Sequence, residues 1–160
     1  MLPEIDQYLT RIEDLHIQIA DIIRGLSAEA LNWRPIEGTG DNATNSLAVL
    51  VVHVAGAQHF WIGESVGKMP ATRDRNAEFA YVADSPAGPL AMLEQVGIET
   101  RQVLSGLSAT DLDGSRQVRD ETVPVRWSII HVIDHAALHL GHMQLTYQLW
   151  NHGKTNSASH

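Results

Sequence analysis

The stretch that decides the fold runs Trp127-Ser128-Ile129-Ile130-His131-Val132-Ile133-Asp134-His135-Ala136-Ala137-Leu138-His139-Leu140-Gly141-His142. Its apolar residues recur at steps of three and four, the period of a helix with one buried face. At about 100° per residue, His131, His135, His139 and His142 fall within an arc of roughly 80°. Such a stripe on an otherwise apolar helix should face the core, where unpaired imidazoles are costly. Two histidines one turn apart can reach a single cation, so the stripe points to a divalent metal held by two of the four. The HxxxH spacing alone fits solvated histidines as well. Four histidines on one stripe favour the metal. A tetrahedral ion takes imidazole nitrogen at about 2.0–2.1 Å and needs a further ligand from another element.

That ligand is read upstream, in Leu50-Val51-Val52-His53-Val54-Ala55. This segment lies in a helix predicted from Asn45-Ser46, either of which can cap it, to about Gly67. The helix is apolar round most of its circumference and therefore central. A lone histidine there reads as a core residue bonded to a carbonyl. Opposite a helix with the HxxxH spacing, His53 becomes the best candidate for the third ligand.

Outward from these two helices, Ile5, Tyr8, Leu9, Ile12, Leu15, Ile19, Ile22, Ile23 and Leu26 predict a first helix over 3–26. Residues 27–44 are rich in turn formers, among them Pro35, Gly40, Asp41 and Asn42, and predict a loop with one short helical turn. Lys68 to Asp84 is a long connection. Ser85 can cap a third helix over about 86–107, which Gly97 weakens by about 1 kcal/mol relative to alanine. Ser108 to Arg126 is polar and ends in a short extended piece. The fourth helix should start near Trp127-Ser128 and reach about Asn151, with Gly153 as its stop. These four helices predict an all-α four-helix bundle over residues 1–152, followed by a flexible polar tail, 153–160.

Composition agrees with one domain of 160 residues. A net charge of −8 opposes nucleic-acid binding and offers no polybasic handle to a membrane. There is no cysteine, so any metal must take nitrogen or oxygen ligands. The apolar stretch Leu47 to Ala57 is broken by His53 and is too short to span a bilayer. The N-terminus lacks a signal pattern, and a cytoplasmic location is expected.

With these residues in view, the chain resembles the DinB/YfiT-like superfamily of metal-binding four-helix bundles. The matching pieces are Leu31-Asn32-Trp33-Arg34-Pro35, Asn45-Ser46-Leu47, His53-Val54-Ala55-Gly56, Trp61, and Trp127 with His131-Val132-Ile133-Asp134-His135 and His139-Leu140-Gly141-His142. The resemblance implies a mirror variant of up-and-down topology, a homodimer, and a metal held by His53, His135 and His139. It also implies kinship with transferases and isomerases that use low-molecular-weight thiols such as mycothiol or bacillithiol. The His-x-Gly-His ending looks like the mycothiol-associated branch, which often carries glutamate where this chain has His135.

Three neutral imidazoles leave one position of a tetrahedral ion open, the pattern of a catalytic zinc site. Zinc is the expected ion, with nickel or iron as alternatives. The expected function is activation of a low-molecular-weight thiol for S-transfer to, or isomerisation of, a small-molecule electrophile. Hydrolysis by metal-bound hydroxide and a binding module without turnover are the alternatives. His142, on the same stripe, is the candidate catalytic residue, as proton shuttle or as support to a ligand. His131 is expected to hydrogen-bond structurally and His16 to be a satisfied core or pocket histidine. His59 lies about 240° from His53 and cannot share its metal, whereas Glu64 shares the His53 face and could line the pocket. Asp134 points about 100° away from His135. Arg34, Arg73, Arg75, Arg101 and Arg126 could bind a carboxylate of a thiol or substrate, with solvated surface arginine the default for each. Gly63-Glu64-Ser65-Val66-Gly67 matches a nucleophile-elbow pattern but ends a helix, so the match is chance.

Overall fold

The computed structural model describes residues 1–38 and 43–157, with side chains through Gly153. The turn residues Gly40, Asp41 and Asn42 lie outside the described residues, as does the end of the tail, 158–160. The elements are α1 (Pro3–Ile23), α2 (Ala28–Asn32), α3 (Leu47–Gln58) with a π-helical continuation (His59–Val66), α4 (Arg75–Phe79), α5 (Ala87–Ser105), α6 (Ala109–Asp113), the strands β1 (Ser115–Val118) and β2 (Glu121–Pro124), and α7 (Val125–Ser157). The two strands form an antiparallel hairpin that occupies the predicted extended piece.

Two buried clusters give the helix directions. One joins Leu15, Ile19 and Ile23 of α1 to Leu47, Leu50 and Val51 of α3, Leu93 of α5 and Met143 of α7. The other joins Ile5 and Leu9 to Ile62, Val66, Leu104, Val125 and Ile129. The end of α1 therefore meets the starts of α3 and α5, so α1 and α7 run one way and α3 and α5 the other. α1 packs on α5 and α7, and α3 packs on the same two helices. Since α3 and α5 are parallel neighbours, their connection must travel back along the bundle. That return segment, residues 67–86, lies against α3 through α4. Each fully buried Leu or Ile in these clusters is worth roughly 1.5–3 kcal/mol of transfer free energy.

Local chemistry sets the boundaries. Ser27 caps α2, and Ser46, itself buried, caps α3 through Val49 N–H. Ser108 and Asp111 form a capping box on α6. α1 stops at Ile23, three residues before the predicted end, and Gly25 takes a φ of +83° that glycine tolerates. α7 runs through Gly153 to Ser157, beyond the predicted stop, so that glycine does not terminate it. With its π-helical turn, α3 spans Leu47–Val66, 20 residues, long and apolar enough by length and composition to cross a membrane. This corrects the shorter stretch read from sequence. Its window is 72% buried inside the protein, as befits the central helix of a bundle.

Candidate metal centre

His53 sits midway along α3, 7% exposed, where α3 faces α7. His135 and His139 project from α7 into the same space. Ring centroids lie 4.9 Å apart for His53 and His135, 5.1 Å for His53 and His139, and 4.4 Å for His135 and His139. One ligand nitrogen from each ring lies within 4.8 Å of the others, so the three could hold a metal ion. Nε2 of His53 and Nε2 of His135 face each other at 3.1 Å. Two nitrogens on one tetrahedral ion would stand about 3.3–3.4 Å apart, given metal–nitrogen distances near 2.0–2.1 Å. The residues fit a divalent ion with little adjustment.

Electrostatics favours the ligand state. Burial, then the neighbouring imidazoles, lower the His135 pKa to about 3. Burial, then His53 and His142, lower that of His139 to about 4. Burial also lowers His53, although its bond to Glu78 works the other way. All three rings are therefore neutral near pH 7, with lone pairs available.

The reading from sequence missed Glu78. Nδ1 of His53 lies 2.9 Å from Glu78 Oε2, and Glu78 is only 5% exposed. Arg73 clamps the same carboxylate, Nε donating to Oε1 at 2.6 Å and an η-nitrogen to Oε2 at 3.0 Å. Burial works against the Glu78 carboxylate, but the Arg73 and His53 bonds hold its pKa below the usual range. Arg73 is thus a partner inside the protein and not a solvated arginine. Nothing in local sequence marks Glu78, because it reaches His53 from the return segment, 25 residues away.

The match to known proteins agrees with this geometry. The mycothiol-S-transferase family model matches residues 8–149. The chain belongs to the mycothiol-S-transferase family. No curated protein matches the chain. Its fold is that of a DinB-like protein from Bacillus cereus, at a TM-score of 0.73, 16% identity and 91% and 92% coverage of the two chains. A conserved protein from Enterococcus faecalis has a similar fold, at a TM-score of 0.75, 14% identity and 93% and 98% coverage of the two chains.

In this mycothiol-S-transferase family member the remaining candidates separate clearly. His142 is exposed and places Nδ1 3.4 Å from Nδ1 of His139. Both rings line a cavity of about 510 Å³ with Pro35, Ile36, Leu50 and Leu145. His131 is corrected: among the described residues its contacts are with rings. It stacks on Trp127 at 4.8 Å and meets the edge of Trp61 at 5.1 Å. His16 bonds Gln58, which bonds Thr100, so it is a satisfied pocket histidine. Asp134 points outward from α7.

His59 turns away from His53, its Nδ1 2.8 Å from Glu99 and its Nε2 2.8 Å from Thr72 Oγ1. Glu64 is corrected as well. It accepts from the backbone N–H groups of Thr72 and Arg73 at 2.6 and 2.8 Å, and so fastens the return segment. The π-helical turn explains the error, since one extra residue per turn rotates the later residues of the helix by about 100°. That rotation carries Glu64 off the His53 face. Ser65 Oγ is buried in this turn without a partner among the described residues, so no nucleophile elbow exists there. Arg101 pairs with Glu13, and Arg126 with Glu4 and Asp113.

Proposed function

We propose that the chain is a metal-dependent enzyme that activates a low-molecular-weight thiol, mycothiol before others, for S-transfer to or isomerisation of a small electrophile. The observation that carries this reading is the convergence of three neutral imidazoles, of which His139 borders a cavity, in a chain of the mycothiol-S-transferase family. A divalent ion, zinc first, would supply the positive charge that lets a thiol lose its proton near neutral pH.

The protein's own groups divide the remaining work. His53, His135 and His139 hold the ion. His142, with one nitrogen toward His139, keeps its Nε2 to accept the thiol proton and return it to the product. Apolar walls from Ile36, Leu50 and Leu145 receive the electrophile and keep water from competing with the thiol. The same reading includes a homodimer, with the outward face of α7 as the contact.

The test uses protein purified without chelator or nickel resin. Near-stoichiometric zinc by elemental analysis, lost in His53→Ala, is expected. Zinc-loaded protein should then accelerate alkylation of the mycothiol sulfur by monobromobimane, with loss of bromide, and His142→Ala should slow it by about 10²-fold or more. Background metal in both proteins, or no acceleration with any physiological thiol, would end the reading. Thiol-independent ester hydrolysis by the loaded protein would replace it with a hydrolase.

A further inference from the structure

We infer that Glu78 is the positioning residue of the metal centre, choosing which nitrogen of His53 is offered as ligand. The inference rests on the three-histidine metal site of the proposed function. It starts from a seat cut into α3. A Cβ at Gly56 would lie 2.1 Å from Glu78 Oε1 and 2.6 Å from its Cδ. Glycine leaves the carboxylate room against the helix, about one turn beyond His53. The seated carboxylate accepts from Nδ1 of His53 at 2.9 Å, and Arg73 donates to each of its two oxygens.

An ionised carboxylate only accepts. The proton on His53 must therefore be at Nδ1, which leaves a bare lone pair on Nε2, the atom facing His135. Carboxylates behind metal-bound imidazoles act this way, fixing tautomer and ring orientation. Here the carboxylate comes from the return segment that the parallel α3 and α5 require. Further contacts hold that segment. Glu64 accepts from its backbone at Thr72 and Arg73, while the Asn32 side chain donates to Ala83 C=O and accepts from Ala83 N–H. Ligand geometry is thus set partly by a connection that contributes no ligand.

Nitrogen-15 NMR of metal-free protein reads the tautomer directly. Wild type should show His53 protonated at Nδ1, and Glu78→Gln should move part of the population to Nε2–H. Zinc affinity, measured against a chromophoric chelator, should fall about 10–100-fold in Glu78→Gln. Gly56→Ala closes the seat and should lose affinity on the same scale, although alanine is the better helix former. Wild-type His53 protonated at Nε2, or unchanged zinc affinity in both folded variants, would overturn the inference. Failure of wild type to bind zinc would instead sink the metal reading, and the tautomer measurement would still decide the role of Glu78.

Discussion

At the scale of single residues, the histidines make the protein's stability depend on pH. His135 and His139 hold pKa values of about 3 and about 4, against 6.5 in an unfolded chain. Between those values the unfolded chain binds protons that the folded one refuses. Stability therefore rises with pH through this window and is lost as pH falls from about 6.5 toward 4. Metal-free protein should melt at steadily lower temperature on acidification across this range. The double variant His135→Gln with His139→Gln should flatten the slope. A pH-independent melting temperature in wild type between 4 and 6.5 would contradict the neutral, crowded triad. Zinc should raise the melting temperature most at the upper end of the window, where its ligands need not lose protons.

At the scale of elements, caps and clamps place the site. Ser46 is buried and its hydroxyl accepts from Val49 N–H, starting the helix that carries His53. Ser46→Ala should cost about 1 kcal/mol, read as a lower urea midpoint with unchanged slope. Asn32 satisfies both backbone groups of Ala83, at 2.8 and 2.9 Å. Asn32→Ala should cost about 1–3 kcal/mol for the groups left unpaired and should speed tryptic cutting at Lys68, Arg73 and Arg75 in the return segment. If the cutting rate stays unchanged, Asn32 does not hold that segment down. The π-helical turn is the element where counting along the chain fails. Up to its first residue, the 100° rule correctly sends His59 away from His53. Within it, the same rule misplaces Glu64.

At the scale of the molecule, α7 presents an outward apolar face opposite its core face. Trp127, Ile130, Leu138, Leu145 and Leu149 are each exposed by 43% or more. Gly141 lies among them, with open space where a Cβ would stand. A large exposed apolar patch marks a contact surface. Sedimentation should show a dimer, and Ile130→Lys with Leu138→Lys should shift it toward monomer. A wild-type monomer at micromolar concentration would remove the homodimer from the proposed function.

The sequence by itself determined the four long helices and the histidine stripe, because periodicity and capping are local properties of consecutive residues. It also singled out His53, since a histidine in an oily helix needs a partner wherever that helix packs. Only the tertiary structure decided which partner that is. Parallel α3 and α5 force the chain to return along the bundle, and that path lays Glu78 into the seat at Gly56. The π-helical turn, the Arg73 clamp and the ring stack at His131 likewise depend on packing between elements. Contacts of that kind join residues tens of positions apart, and neither spacing nor propensity records them.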